Sequence, residues 1–446
     1  MTAEGERHIG AALGSQEFKT QFVAKVEKWV NDIDELATFA KEEPQCALSA
    51  LNSGLSQRWS FLQRTVEGIS DCFTPLEDAI HHRLIPALLG REVSEMERRV
   101  LALPYRSGGL AIQNPVLTAD REYRASIKVT AELSDLICQQ ESDLSRLDTN
   151  ALKEKKREIR AEKEAWLKTE VEDISDTLQD KQRKLFLCAG EKGASAWLSA
   201  LPLKKMGYTL NKQEFRDAVC LRYGWQIPET PLYCGCGTRN NFDHIFTCKK
   251  GGYVSMRHNA LRDVEAKLLK EVCADVRVEP SLLPTDEERV SGNTASGARL
   301  DISARGLWSA YERSFMDVRV THPTAESHIR KSMERLYLEN ENEKKNLYNE
   351  RILHTERGTF TPLVFSTTGG MAPECIRFNK RIAELKSAKT GESYPDVMKY
   401  IRTRLRFALL RSTLIAIRGT RGAVRDREEI NIGDISFNLI PEVPLL

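Results

Sequence analysis

From Phe18 onward the apolar residues Phe22, Val26, Trp29, Ile33 and Leu36 recur four and three apart, the spacing that lays one stripe along a helix. Trp59, Leu62, Val66 and Ile69 make a second stripe, and Leu76, Ile80 and Leu84 a third that runs on to Pro86 and Gly90. An all-helical N-terminal module is expected over 17–135. Its turn-rich exit is the stretch Leu103 to Gly109, where proline and paired glycines stop a helix. The segment before it, through Gln16, is weakly patterned and reads as a frayed end. Between Asn150 and Lys184, Lys, Glu, Arg and Asp dominate, and Trp166, Leu167, Val171, Ile174 and Leu178 keep only a thin apolar seam. That pattern predicts a long charged helical connector over 145–187.

Further on, Asn211 with Glu214 three residues later has the form of a capping box that opens a short helix through Phe215 and Leu221. Leu261, Val264, Leu268 and Val272 predict a helix over Arg257–Val272. The rhythm then changes to short β-rich runs: Val276–Leu283, Ala298–Ala304 and Ser314–Val320. A charged helix over Ala325–Leu353, a strand over Phe360–Ser366 closed by Gly369 and Gly370, and helices over Pro373–Ser387 and Tyr394–Arg418 complete the reading. The fold class expected is α+β.

With 446 residues, 41% of them hydrophobic, the chain has room for two or three domains with cores of their own. Lys and Arg number 66 against 64 Asp and Glu, so a net charge of +2 gives no bulk argument for nucleic acid, and any such argument needs local patches. Ten cysteines in a chain this long do not make a disulfide scaffold, and no apolar stretch resembles a signal peptide or a membrane span. A reducing location is expected, nuclear or cytoplasmic and not secreted, with no membrane partner.

Three constellations carry candidate chemistry. Cys234, Cys236, His244 and Cys248 fall within fifteen positions and offer the thiolates and imidazole that tetrahedral zinc prefers. A structural zinc is favoured over ordinary buried thiols beside a surface histidine, although Cys-x-Cys is tighter than the usual Cys-x2-Cys. This knuckle, with the helix before it, is expected over 195–256. Second, Asp301 and Asp317 each interrupt an apolar strand, and a hairpin would bring both to one end. Oxygen ligands of this kind favour Mg²⁺ or Mn²⁺, while two solvent-facing edge charges are the bland alternative. Glu265 and Glu279 are unranked further acids, and Lys331, Lys344 and Lys345 could supply an ammonium. Third, Arg402, Arg404, Arg406, Arg411, Arg418 and Arg421 lie between Ile401 and Val424 with no acid among them, on a basic C-terminal helix expected over 391–425. Phosphate contact and packing on the domain are both open for that helix.

The run Cys234-Gly235-Cys236, Asp243-His244-Ile245, Cys248, Arg257-His258-Asn259, Asp301, Asp317 and Lys344 to Tyr348 resembles the C-terminal region of non-LTR retrotransposon polyproteins, in which a CCHC knuckle precedes a restriction-like endonuclease. Upstream, Pro44-Gln45, Gly54, Arg58-Trp59, Arg64-Thr65, Pro86 with Gly90, and Leu103-Pro104 with Gly108-Gly109-Leu110 resemble the helical thumb and connection that follow a reverse transcriptase palm. The resemblance implies a PD-(D/E)XK domain over 257–390, a mixed sheet flanked by helices. It implies a metal-dependent DNA endonuclease with Asp301, Asp317, Lys344 and Glu279 as catalytic candidates and magnesium on the two aspartates. Arg257, His258, Arg402, Arg406 and Arg411 would hold DNA, and a thumb-like module would touch RNA.

The departures are specific. No Tyr-x-Asp-Asp occurs, so no polymerase site is assigned, and the missing palm suggests the surviving end of a longer chain. Leu300 stands where the family has proline, and Arg319 stands where many such nucleases carry the catalytic lysine. The alternative function is a catalytically inactive nucleic-acid-binding remnant or domesticated protein.

Overall fold

The computed structural model describes residues 5–8, 11–22, 25–140, 149–285 and 299–419. These fall into two compact units, one of the chain up to Leu178 with Thr209–Arg216, the other of Gln179–Tyr208 with the chain from Asp217 onward.

The first unit opens with an antiparallel hairpin, β1 (Gly5–His8) and β2 (Ala11–Gly14), where the sequence suggested only a frayed end. Helices α1 (Gln16–Phe22), α2 (Lys25–Ala40), α3 (Pro44–Ala50), α4 (Ser56–Thr65), α5 (Thr74–Ala79), α6 (Ile85–Leu89), α7 (Glu95–Ala102) and α8 (Pro115–Cys138) follow. Val26, Trp29 and Ile33 of the first stripe are buried, as are Trp59, Leu62, Leu76, Ile80 and Leu84. The second stripe breaks early: Val66 is extended and caps α4, so Val66 and Ile69 are buried from outside the helix. Gly108, at φ 93°, closes the turn after α7. A Cβ on Gly109 would stand 1.9 Å from the Leu103 carbonyl oxygen, so that close approach admits only glycine.

The charged segment is not a free connector. Helix α9 (Thr149–Thr177) lies along α8, with Lys163–Glu122 at 3.0 Å, Lys128–Glu162 at 2.6 Å and Arg121 3.9 Å over the Trp166 ring. Surface ion pairs contribute little by themselves. The thin seam decides the packing, because Leu167 and Ile174 are buried. Asn211 and Glu214 form the expected reciprocal cap, each backbone N–H donating to the other's side chain at 2.9 Å.

In the second unit the knuckle, the sheet and the last helix form one body and not three successive domains. Its elements are α10 (Asp180–Ala189), α11 (Ala196–Ser199), the end of α12 (Lys212–Tyr223), α13 (Phe242–Thr247), α14 (Tyr253–Val272), β3 (Ala274–Val278), β4 (Ile302–Arg305), β5 (Arg313–Thr321), α15 (Met333–Arg351), β6 (Thr359–Ser366), α16 (Pro373–Thr390) and α17 (Tyr394–Arg418). The strand expected from Ala298 begins outside the described residues, and Arg421 also lies outside them. Helix α15 starts at Met333, where Ser332 accepts a hydrogen bond from the Arg335 N–H, eight residues later than the pattern implied.

The sheet order is β3-β4-β5-β6, antiparallel except for the parallel pair β5 and β6, which α15 connects. Strand alternation gives β5 two different faces. Met316 and Val318 pack with Leu261, Leu268, Phe378, Ile382, Ile401 and Leu405 of α14, α16 and α17. Phe315 packs with Leu300 and Ile352 on the side of α15, which also receives Tyr348. Asp317, between Met316 and Val318, therefore points toward α15.

Glu265, a sequence candidate for the metal site, lies elsewhere. It is fully buried between α14 and α16, accepts a hydrogen bond from Asn379 Nδ2 at 3.1 Å, and burial pushes its carboxyl up to about 8. Its Oε2 and the Asn379 Oδ1 are both buried acceptors without partners, and a proton on the carboxyl supplies the missing donor. Because the folded pKa lies above the unfolded one, this group's stability is full below pH 4.5 and falls as pH rises toward 8. Glu265→Gln should remove that loss. Urea unfolding should show the parent losing roughly 2–3 kcal/mol relative to the variant between pH 5 and 7, and parallel curves would contradict the buried, protonated carboxyl.

Candidate metal centre and acidic site

Cys234, Cys236, His244 and Cys248 form a group that could hold a metal ion such as zinc, their ligand atoms all within 4.8 Å of one another. Local backbone chemistry builds it. The Cys234 N–H donates to the Thr238 carbonyl at 2.9 Å and the Gly237 N–H to the Cys234 carbonyl at 2.8 Å, with Gly237 at φ 88° to allow the tight return. Asn241 caps α13 by accepting the His244 N–H at 2.8 Å, and Cys248 ends the same helix. The Sγ atoms of Cys234 and Cys248 are 3.8 Å apart, and Cys236 Sγ lies 3.3 Å from His244 Nε2. A tetrahedral ion with Zn–S bonds of about 2.3 Å puts two sulfurs about 3.8 Å apart. Cys234 and Cys248 stand at that spacing, and the Cys-x-Cys pair, Cys234 and Cys236, lies within the same 4.8 Å.

This knuckle is joined to the sheet by a polar network that the sequence did not flag. Asp243 Oδ1 accepts from His322 Nε2 and from Thr324 Oγ1, both at 2.9 Å, and its other oxygen pairs with Lys181. His322 Nδ1 and Thr367 Oγ1 are 2.8 Å apart. Burial pushes the Asp243 carboxyl up, but the hydrogen bonds from His322, Lys181 and Thr324 outweigh it and hold it well below the usual range. The only sequence signal was Asp243 inside the run already quoted. Arg257, expected on DNA, is buried beneath the knuckle helix, donates to the Phe246 carbonyl at 3.0 Å, and has its pKa lowered to about 10 by burial.

Asp301 and Asp317 do come together. The β4–β5 register pairs Ile302 with Met316, and one further step sets Asp301 opposite Asp317. Asp301 Oδ2 accepts the Val318 N–H at 2.6 Å and lies 3.0 Å from His258 Nε2. Asp317 is 6% exposed, and Lys344 Nζ stands 2.6 Å from its Oδ2. Burial raises the Asp317 carboxyl and the Asp301 charge adds to this, while Lys344 and His258 oppose it. The hydrogen bond to Asp301 raises the His258 imidazole above its ordinary value against the effect of burial. Lys344 also lies 5.6 Å from the Tyr348 ring centroid, one helical turn along α15.

Of the three candidate lysines, Lys344 is the one beside Asp317. Lys345 pairs with Glu374 at 2.9 Å and Lys331 with Glu339 at 2.6 Å. Arg319, at the position of the family's lysine, pairs with Glu343 at 2.8 Å. Glu279 is drawn aside by Arg262 and, at 4.0 Å, by Arg299, although its N–H donates to the Asp301 carbonyl at 2.9 Å. His258, expected on DNA, is instead the partner of Asp301.

The arginine helix faces inward. Arg406 is buried, donates to the Ala194 carbonyl at 2.9 Å, and burial lowers its pKa to about 9. Arg411 donates to the Gly207 carbonyl at 2.7 Å, Arg418 pairs with Asp217 at 2.7 Å, and Arg402 is half-buried. Carbonyls and buried acids of the same unit take the donors that the sequence left open for phosphate. Packing is the reading that holds for Arg406.

No protein-family model matches the sequence, and a search of curated proteins finds no match. No helix among the described residues is long and apolar enough to cross a membrane.

The four-ligand group makes a direct prediction. Purified chain should carry about one equivalent of zinc by elemental analysis, Cys248→Ser should lose it, and chelation should lower the melting temperature of the parent but not of the variant. Metal-free parent with an unchanged melting temperature would reduce the group to four unligated side chains.

Proposed function

We propose that this chain is a metal-dependent endonuclease of the PD-(D/E)XK kind that hydrolyses phosphodiester bonds in DNA. We further propose that it is related to the restriction-like endonuclease region of non-LTR retrotransposons and lacks a polymerase site. The observation that carries the reading is Lys344 Nζ, 2.6 Å from the buried carboxylate of Asp317, with Asp301 facing that carboxylate across the register. A buried Asp317 held by one lysine beside a half-buried Asp301 is a costly arrangement for a merely structural role, since the buried charge alone would be strongly penalised.

The donor set fits a hard divalent cation such as Mg²⁺ or Mn²⁺, which the two carboxylates would hold. When bound, such a cation would polarise the phosphate and lower the pKa of the attacking water. The protein's own part is orientation. Val318 N–H and His258 fix Asp301 through Oδ2. Lys344 holds a compact positive charge where a water or a phosphoryl oxygen would carry developing negative charge. Phe315, Leu300, Ile352 and Tyr348 wall the site with apolar surface that strengthens these interactions. In the knuckle, the four ligands suit a structural zinc and leave no open position for chemistry.

Nicking of supercoiled plasmid in Mg²⁺ or Mn²⁺ tests this. The parent should nick, Asp301→Asn and Asp317→Asn should abolish nicking, and Lys344→Ala should slow it by about a hundredfold or more. Parent that binds plasmid without nicking in either ion would make the chain an inactive nucleic-acid-binding protein. Nicking that survives Asp317→Asn would reject the site.

A further inference from the structure

Residues 306–312 close the hairpin between β4 and β5 at the end of those strands away from Asp301 and Asp317. Gly306, at φ 93°, turns the chain, and its N–H donates to the Glu312 carbonyl at 3.2 Å. The hairpin is fastened to α16, since Arg381 Nε donates to the Leu307 carbonyl at 2.9 Å and Arg377 lies 4.9 Å over the Trp308 ring. Trp308 is half-buried against the core. Three residues on, Tyr311 is 92% exposed.

Between this hairpin and α16 lies an open groove of about 470 Å³, lined by Trp308, Ile376, Arg377, Lys380, Arg381 and Glu384 among others. Its lining has three cations and one carboxylate. Glu384 sits 3.2 Å from Arg381, and Glu374, 3.8 Å from Arg377, is shared with Lys345. Lys380 and Arg381 stand three and four residues after Arg377, so their charges fall along one side of α16. A solvated helix face would explain the lysine. It does not explain a cationic groove whose tethered loop, three residues past the lining Trp308, also carries the exposed ring of Tyr311.

We propose that this groove binds a single strand of nucleic acid, with phosphates on Arg377 and Lys380 and an unpaired base stacked on Tyr311. Positive charge along a groove with an aromatic platform is the combination that holds single strands without reading sequence, because each base offers a π-face and each linkage a charge. The exposed ring favours an unpaired base over a duplex, whose bases are stacked on one another. Hydrolysis is not required: five residues of strand, roughly 17 Å at 3.3 Å each, separate the turn from Asp301, so binding and cutting can be lost independently.

Fluorescence anisotropy of a labelled, mixed-sequence single-stranded DNA of about 20 nucleotides, longer than the roughly 4–16 one site covers, tests this on the full chain. The parent should bind more weakly as salt rises. Tyr311→Ala should weaken binding about fivefold or more. The double variant Arg377→Ala, Lys380→Ala should weaken it further and flatten the salt dependence. All three positions are exposed, and melting curves matching the parent would show the variants folded. Absence of binding by the parent, or affinities within about twofold of the parent in both variants, would overturn the groove. If the parent binds and both groove variants bind more weakly while the parent cuts nothing, the groove stands and the nuclease reading falls. If cutting persists while the groove variants keep parental affinity, the nuclease stands and the groove falls.

Discussion

Two carboxylates facing each other near the middle of a sheet cannot both stay ionised in a desolvated place without nearby positive charge. Asp317 is buried in β5 and Asp301 lies opposite it, so the structure must deliver hydrogen-bond donors and positive charge from outside the sheet. Two helices do so from different parts of the chain. His258 comes from α14, before the sheet, and Lys344 from α15, the crossover between the parallel strands. The positions of both helices are thereby tied to one electrostatic requirement. Neutralising one partner would leave an unbalanced charge inside the unit, the costly outcome for a buried pair.

The knuckle is bound to the same body by a second buried acid. Asp243 sits on the short helix that carries His244, and its bonds to His322 and Thr324 tie that helix to the chain leaving β5. Arg257 adds a hydrogen bond from α14 to the end of the same helix. A loop of fifteen residues has too little apolar surface to hold its own shape. This network holds it on one side, and a metal ion on the four candidate ligands would hold it on the other.

The last helix shows how a charge pattern changes meaning on burial. Its arginines are long enough to lay their stems through the core of the unit and end on carbonyls and acids. Their alternation with Ile401, Leu405 and Leu409 gives a helix with apolar and polar contacts around much of its surface, as suits one enclosed by other elements. The exposed cations of the proposed groove, Arg377 and Lys380, lie on α16 instead.

Periodicity is a local property, so the sequence alone determined the elements that depend on it. These include the helical stripes of Val26 to Ile33, Trp59 to Leu62 and Leu76 to Leu84, the strand around Asp317, the capping box at Asn211 and the bounds of the final helix. It also determined the four knuckle ligands, because their spacing is short enough for the chain to bring them together by itself. The fate of each charge was left to the tertiary structure. His258 belongs to Asp301, Lys344 and not its neighbour belongs to Asp317, Glu265 is a buried neutral acid, and Arg406 is internal. The reason is physical. A titratable side chain is defined by its partners and its distance from water, and in this chain those partners arrive from segments tens of residues away, by packing that no local pattern records.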